Sequence, residues 1–211
     1  MPLSMPSSGS RSPQAGSGRS GHGSDAVRSE LADLAREIVA CRRCPLGHAR
    51  TNAVVYRGST APRIVFVGEA PGAEEDRLGV PFVGRSGSIL DTAIARLGLA
   101  PSEFGILNVL KCRPPANKFD RSAAETCRPY LDRQLALLRP NLLVSLGASA
   151  LRALDPSAPP IMKAAGAPRS APVGALFPLV HPAATLRSRR MKERWERDLG
   201  ALAECLGTAV V

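Results

Sequence analysis

The sequence predicts an α/β fold in which helices cover both faces of a mainly parallel sheet. Four short apolar runs recur along the chain, and each is followed at once by a loop rich in glycine, proline or polar residues. These runs span residues 63–67, 105–110, 141–146 and 175–180. Helical patterns separate them, at residues 88–97, 123–138 and 148–154. Continuous apolar runs are typical of strands buried on both faces, and alternation of strands with helices is typical of parallel sheets.

A further helix is predicted before the first strand. Ser24 or Asp25 would cap its amino end, and apolar residues then recur with the spacing of one helix face. They are Leu31, Leu34, Ala35, Ile38 and Val39. Residues 1–24 consist largely of Ser, Gly and Pro and have almost nothing to bury. We therefore expect a disordered tail there and one folded domain over residues 25–211. The sequence does not identify what, if anything, the tail binds.

Polar residues lie within or directly after the carboxyl ends of the predicted strands. Glu69 follows the first run in GEAPG, Asn108 lies within the second in LNVLKCRPP, and His181 follows the last in HPA. In open sheets of this type, ligands bind beyond the carboxyl ends of the strands, so we expect these side chains at one edge of the sheet. GEAPG contains neither G-x-x-x-x-G-K-[ST] nor G-x-G-x-x-G, which disfavours a nucleotide-binding protein.

Three residues in these loops have a structural interpretation beside a functional one. Phe82, in the Gly-rich segment VPFVGRSG, could present its ring to a base or anchor its loop in the core. The amide of Asn108 could recognise the edge of a base, because it offers a donor and an acceptor together, or be buried with backbone partners. His181 could donate a hydrogen bond to a developing anion or serve a structural purpose.

The chain is strongly basic. It carries 28 Lys and Arg against 18 Asp and Glu, with a formal net charge of +10 and a pI near 10.3. Only Arg11 and Arg19 are charged within residues 1–24, so the basic bias belongs to the part predicted to fold. The charge is equally compatible with an anionic partner, nucleic acid first, and with an Arg-rich solvated surface.

The densest basic segment is a predicted helix near residues 187–197. Its cations are Arg187, Arg189, Arg190, Lys192, Arg194 and Arg197. The segment is typical of a face that contacts phosphates, although Glu193, Glu196 and Asp198 make it resemble an ordinary solvated helix.

Four of the five cysteines form two groups. Cys41 and Cys44 make a C-x2-C pair, and Cys112 and Cys127 follow later in the chain. Thiolates bind zinc and iron–sulfur clusters, and this spacing does not separate the two. The alternative is a set of ordinary buried thiols. It fits Cys205, which stands alone in a helical pattern, but not the first pair, whose neighbours are two arginines and a proline. His48 lies close to that pair as a possible extra ligand.

The cysteine pattern and the hydropathy indicate an intracellular setting. An odd number of cysteines, four of them grouped like ligands, favours a reducing compartment over a disulfide framework. No apolar stretch approaches the roughly 18 residues of a membrane span, and the amino end lacks the apolar segment of a signal peptide. We therefore expect a cytoplasmic protein without a membrane partner.

The order of these motifs is more specific than any one of them. C-x2-C, GEAPGAEEDRLGVPFVGRSG, LNVLKCRPPANK, Cys127 and HPAATLR follow one another along the chain. This arrangement resembles the type-4, iron–sulfur class of uracil-DNA glycosylases over residues 31 to about 200. The resemblance implies a three-layer α/β/α sandwich around a mainly parallel four-stranded sheet. It also implies a [4Fe-4S] cluster on Cys41, Cys44, Cys112 and Cys127.

The same resemblance assigns a base-binding pocket. Phe82 would stack on a flipped uracil, and Asn108 would pair with its O4 and N3–H edge and so reject cytosine. Glu75 would close the space beside C5 against the methyl group of thymine. His181 would lie near O2 and stabilise the uracil anion as the glycosidic bond breaks.

Two further groups of residues follow from the resemblance. Glu69 would help to position water or substrate, beside Ala70 and Pro71 in the same loop. Related glycosylases carry an Asp where this chain has Ala70, so Glu69 is not assigned as a general base. The expected DNA contacts come from residues after the second strand and after His181: Lys111, Arg113, Asn117, Lys118, Leu186 and Arg187.

The function implied is a monofunctional DNA repair glycosylase. It would extrude uracil from DNA and hydrolyse its N-glycosidic bond, leaving an abasic site, and we expect it to act as a monomer on uracil-containing DNA. A nonenzymatic DNA-binding module held together by zinc or a cluster is the alternative that charge and cysteines alone permit.

Overall fold

The computed structural model describes residues 21–207 and shows an α/β/α sandwich. Its strands are β1 (Arg57–Gly58), β2 (Ile64–Gly68), β3 (Phe104–Asn108), β4 (Leu142–Leu146), β5 (Arg169–Ala171) and β6 (Gly174–Leu179). Its helices are α1 (Gly21–Ala40), α2 (Pro45–Ala49), α3 (Ala73–Leu78), α4 (Arg85–Arg96), α5 (Arg121–Leu138), α6 (Ala148–Leu154), α7 (Ile161–Ala164), α8 (Pro182–Thr185) and α9 (Arg189–Leu206). A short 3-10 helix spans Pro115–Asn117.

The sheet has six strands rather than the four that were predicted. Their order is β1-β3-β2-β4-β6-β5. The four predicted strands form its parallel centre, and β1 and β5 add antiparallel edges. The edge strands are only two and three residues long and carry no apolar run. A strand that is not buried on both faces lacks the apolar pattern by which the central ones were predicted.

A hydrophobic core lies on each face of the sheet, which confirms the predicted sandwich. On one face α4 and α9 pack over β2, β3, β4 and β6, with Phe66, Phe177 and Trp195 among the buried residues. On the other face α5 and α6 cover the alternate strand residues, including Val67 and Leu107. Helix α1 packs in turn against α5.

The predicted helices are present, with small shifts at their ends. Helix α1 begins at Gly21 rather than at Ser24 or Asp25. The tail predicted for residues 1–24 otherwise falls on residues 1–20, outside the described part of the chain. Across residues 21–207, no helix combines the length and the apolar character that crossing a membrane requires.

Candidate active site and cysteine cluster

The register of β2 and β3 brings Gly68 and the predicted site residue Asn108 together at the carboxyl edge of the sheet, and the predicted Phe82 lies beside them. Gly68 and Asn108 are the last residues of these parallel strands and lie side by side. A Cβ atom on Gly68 would stand 2.3 Å from Asn108 Oδ1 and 2.5 Å from Cε2 of Phe82. Only glycine leaves room for both side chains, so Gly68 allows the amide and the ring to meet.

The amide of Asn108 is buried and incompletely bonded. Asn108 is 1% exposed, and within residues 21–207 no donor reaches its Oδ1. Its backbone carbonyl, in contrast, accepts a hydrogen bond of 2.5 Å from Lys111 Nζ. An orphaned buried acceptor is costly in a folded protein, so this oxygen is suited to a ligand that brings its own donor.

Phe82 lies beside this amide in an unusual backbone conformation. It is 4% exposed and has a φ of 54°. The left-handed region costs a residue with a side chain about 1–2 kcal/mol, so the surrounding contacts must hold it there. The ring centroid lies 6.0 Å from that of His181, with the planes inclined by 31°. Phe82 therefore lies close both to the amide of Asn108 and to the ring of His181, and we call these three residues with Gly68 the Asn108 site.

The carboxylate of Glu75 fixes the loop that carries Phe82. One oxygen accepts from the amide of Gly72 at 3.0 Å, which closes the amino end of α3. The other oxygen accepts from Val83 and Gly84 at 3.0 and 2.9 Å. Glu75 thus joins the GEAPG loop to the Phe82 loop (residues 80–84), in addition to the role beside C5 that the resemblance gives it.

His181 is placed and polarised by its neighbours. It caps α8, where its Nδ1 accepts a hydrogen bond of 3.1 Å from the amide of Ala183, so the ring proton of a neutral imidazole sits on Nε2. The pKa of His181 is lowered from 6.5 to about 4, mainly by burial and also by the charge of Arg187, while Glu75 opposes both effects. The ring is therefore neutral at pH 7 and carries a single N–H donor.

The remaining residues of GEAPG lie between the Asn108 site and the cysteines. Glu69 is half-buried, and its backbone carbonyl accepts from the amide of Leu110 at 3.0 Å. Pro71 is buried, and Ala70 packs against the apolar cluster that includes Cys112. The GEAPG loop therefore packs against both the Asn108 site and the apolar residues around Cys112.

The four grouped cysteines are all free thiols, and their charges act on one another, Cys112 with Cys127 and Cys44, and Cys127 with Cys44 and Cys41. Cys112 and Cys127 are buried, and Cys41 and Cys44 are half-buried. Burial raises the pKa of Cys127, and the nearby thiols of Cys44 and Cys41 raise it further, against an opposing effect of Lys111. These four residues form what we call the cysteine cluster. Burial also raises the pKa of Cys112, against an opposing hydrogen bond from Arg50, while Cys127 and Cys44 add to the rise.

The surroundings of the cysteine cluster suit a thiolate-bound group. Arg50 donates to Cys112 Sγ at 2.9 Å and to the carbonyl of Cys41 at 3.0 Å. Such hydrogen bonds to ligand sulfurs are the usual second layer of iron–sulfur sites. His48 is exposed and bonds the carbonyl of Arg42 instead. Within the described range, no three Cys, His or carboxylate side chains are gathered tightly enough for a single metal ion.

The residues predicted to contact DNA divide into two sets. Four of them are exposed, namely Asn117, Lys118, Leu186 and Arg187, and Arg113 is half-buried. Leu186 is 52% exposed, unusual for a large apolar side chain. The prediction that Lys111 contacts DNA is corrected by the structure, because Lys111 is 1% exposed and its amine donates to the carbonyl of Asn108. Burial also lowers the pKa of Lys111 to about 7. It supports the site from inside rather than contacting phosphate.

A shallow cleft of about 200 Å³ lies beside Arg50, Arg113 and Asp76. It does not include the Asn108 site. The carboxylate of Asp76 already accepts hydrogen bonds from the amides of Thr51 and Asn52. The cleft therefore belongs to the surface next to the cysteine cluster.

The chain was compared with known proteins. Residues 55–200 match the family model described as Uracil DNA glycosylase superfamily. The chain belongs to this superfamily. It is 39% identical over 186 residues to the type-4 uracil-DNA glycosylase of Archaeoglobus fulgidus, an overlap of 84% of this chain and 94% of the relative. The type-4 uracil-DNA glycosylase of Thermotoga maritima is 40% identical over 167 residues, 77% and 87% of the two chains. A type-5 uracil-DNA glycosylase of Pyrobaculum aerophilum is 27% identical over 159 residues.

These relatives make the chain a type-4 member of the uracil-DNA glycosylase superfamily.

Two residues that shape the site and the cysteine cluster were not found from sequence. Arg50 lies 62 positions before the cysteine whose sulfur it bonds. Gly147, at a φ of 92°, lies so close to His181 that a Cβ atom would stand 3.1 Å from the Cβ of the histidine. Neither position carries a local signal, since each depends on a partner that is remote in the chain.

Proposed function

We propose that this protein excises uracil from DNA by hydrolysing the N-glycosidic bond and leaves an abasic site. The observation that carries the proposal is the orphaned, buried Oδ1 of Asn108 beside the ring of Phe82. Uracil offers a donor at N3 and an acceptor at O4, which match the oxygen and nitrogen of one amide. Cytosine has no hydrogen on N3, so it would leave Oδ1 unpaired, and a site built to bond a donor strongly rejects an analogue that lacks it.

The base must leave the duplex before it can reach this site. A uracil opposite G or A costs only a few kcal/mol to extrude. The exposed Leu186 next to Arg187 supports a role for this loop in filling the vacated space and holding phosphate. The flipped base would stack on Phe82, while Glu75, which holds the Phe82 loop, would also limit the space beside C5.

Bond cleavage places negative charge on the departing uracil, mainly at O2. A neutral His181 with its proton on Nε2 can donate a hydrogen bond to that oxygen. The N1–C1′ bond breaks with its electron pair going to uracil, and water then adds its oxygen to C1′ and releases a proton. Because most of the bond breaks before water adds, no strong base is required. This is consistent with Ala70, which stands where glycosylases outside the type-4 family carry Asp. Glu69 would position the water or the substrate.

The four cysteines are proposed to hold a [4Fe-4S] cluster. The donor set supports this, since four free thiols lie together and two of them are buried. When bound, the cluster supplies cross-links among segments of the chain that are distant in sequence. The residues themselves connect the segment after α1 to the loop after β3 and to α5, beside the GEAPG loop.

One assay tests the proposal directly. A duplex oligonucleotide with a single uracil is incubated with the purified protein, and strand breakage is measured with and without alkali. Breakage that requires alkali is expected for a monofunctional glycosylase, and matched duplexes with thymine or cytosine should remain intact. A protein that binds the duplex but yields no alkali-sensitive site would instead be the nonenzymatic DNA-binding module.

Setting and partners are proposed on the same basis. We place the protein in the cytoplasm, where reduced thiols persist, and take uracil-containing DNA as its partner. It would act as a monomer, because one chain carries the whole site. Sedimentation of the protein alone and with DNA checks this proposal.

A further inference from the structure

We infer that Arg57 is a positioning residue that holds the Phe82 ring in place for the flipped base. This inference rests on the proposed function. Arg57 lies on the edge strand β1, directly opposite Ile106 of β3. Its guanidinium reaches the Phe82 loop. No motif in the sequence points to it.

Arg57 holds a backbone atom of the Phe82 loop that Glu75 does not reach. Its Nη1 donates to the carbonyl of Phe82 at 3.3 Å. Glu75 takes the next two amides, those of Val83 and Gly84. The peptide group that follows the strained residue is therefore bonded at both of its polar atoms, by a cation at the Phe82 carbonyl and by an anion at the Val83 amide.

A second contact fixes the guanidinium itself. Asp91 on α4 pairs with both Nη1 and Nη2 of Arg57. The side chain of Arg57 is 27% exposed, less than most surface ion pairs, and that of Asp91 is 51% exposed. The same helix approaches Phe82 closely at Gly87, where a Cβ atom would stand 2.0 Å from the Phe82 carbonyl oxygen. Strand β1, the Phe82 loop and α4 thus meet at a single carbonyl group.

The consequence is preorganisation of the ring. A non-glycine residue with positive φ returns to an ordinary conformation unless its neighbours hold it. When the ring moves, the stacking surface and its spacing to Asn108 and His181 move too. Loss of Arg57 should therefore reduce catalysis through Phe82 and leave the phosphate contacts of the DNA surface unchanged.

A double-mutant cycle separates this role from a general structural one. Single-turnover excision is measured for Arg57→Ala, Phe82→Leu and the double variant, and affinity is measured with a duplex that carries a non-hydrolysable uracil nucleotide. We expect Arg57→Ala to slow excision by about 10-fold with little change in affinity, and Arg57→Lys to recover part of the rate. In the Phe82→Leu background, Arg57→Ala should change the rate by less than about 2-fold.

Arg96→Ala is the matched control, since Arg96 pairs with Glu196 between α4 and α9 at similar exposure and away from the Asn108 site. Equal losses from Arg57→Ala in both backgrounds, or a loss no greater than that of Arg96→Ala, would overturn the inference. Hydrogen exchange gives a readout that needs no catalysis: Arg57→Ala should speed exchange of the Val83 and Gly84 amides, and unchanged exchange counts against it. If the unaltered protein excises no uracil, the proposed function fails, and the exchange result still decides the role of Arg57 in the loop.

Discussion

At the scale of single residues, the Asn108 site combines one unsatisfied group with two groups whose states are fixed. Asn108 presents a buried acceptor for which the described part of the chain supplies no donor. Phe82 is held at a φ of 54°, and His181 is held neutral with its proton on Nε2. Under the proposed function, selectivity depends on groups whose hydrogen-bonding capacity is already decided before the base arrives, so small changes at these positions should have large effects on rate.

Replacing Asn108 with aspartate should reduce uracil excision by on the order of 100-fold, because an ionised carboxylate cannot donate to O4. The variant should shift its preference toward cytosine, whose exocyclic amine N4 is a hydrogen-bond donor. Single-turnover rates on uracil and cytosine duplexes measure both effects. Asn141→Asp makes the same chemical change at an exposed position and should have no effect. Unchanged uracil excision by Asn108→Asp would remove Asn108 from the site.

His181→Ala should slow excision by on the order of 100-fold, the scale for losing one donor to a developing anion. DNA affinity should be nearly intact, because phosphate contacts dominate it. Single-turnover rates and equilibrium binding are compared in the same buffer, with His48→Ala as the exposed control. Matched losses of rate and affinity would mean that His181 only supports the fold or the DNA surface.

The lowered pKa of His181 also predicts how stability depends on pH. Its folded pKa of about 4 is below the ordinary 6.5, so between these values the unfolded chain binds more protons than the folded one. This group therefore leaves stability unaffected above pH 6.5 and reduces it as pH falls toward 4, by up to about 3 kcal/mol. Denaturant unfolding from pH 7.5 to 4.5 measures the effect. The decline should be smaller for His181→Gln, and equal slopes would contradict the lowered pKa.

At the scale of elements, two loops depend on contacts between distant segments. The GEAPG loop lies between the Asn108 site and the cysteine cluster, where Ala70 packs against the apolar residues around Cys112. Glu75 then connects the amino end of α3 to the Phe82 loop. A group bound by the four cysteines would therefore stabilise the wall of the site without contributing atoms to the reaction.

Cys112→Ser should remove the iron–sulfur absorbance of the purified protein and lower its melting temperature by about 10 °C, because a missing ligand weakens a cross-link among three segments. Cys205→Ser is the control, since that thiol is exposed on α9 and far in sequence from the cysteine cluster. Absorbance and thermal melts are recorded for both. A Cys112→Ser protein that stays coloured and equally stable would show that the ligand assignment is wrong.

At the scale of the whole molecule, the chain carries a formal net charge of +10. The loop after β3 and the start of α9 both carry exposed cations, among them Lys118, Arg187 and Arg189. Part of the positive charge is already paired within the fold, as in the ion pair of Arg194 with Asp198. Net charge therefore overstates the number of cations that can meet phosphates, and burial decides which ones count.

Salt dependence separates exposed from buried cations. Lys118→Ala should reduce the slope of log Kobs against log salt concentration by about 1, since one phosphate contact is lost. Lys111→Met should leave that slope unchanged, because Lys111 is 1% exposed. Binding titrations at several salt concentrations give the slopes. An equal decrease of this slope for both variants would show that Lys111 does contact phosphate.

The sequence by itself determined the four central strands, the helices between them and the order of the motifs. Each of these is a local property: an apolar run, a helical spacing or a short pattern such as GEAPG predicts its element without knowledge of remote contacts. The placement of Asn108 and His181 at one edge of the sheet followed from the rule for parallel strands. Both lie there.

Tertiary structure alone decided which residues meet and which are buried. Lys111 stands among predicted DNA contacts in sequence, yet the fold turns it inward onto the carbonyl of Asn108. Arg50 and Arg57 act on Cys112 and Phe82 from positions 62 and 25 residues away. The two edge strands form only because β3 and β6 offer them unpaired backbone. Such features depend on the energy of contacts between remote segments, which no local pattern of residue types records.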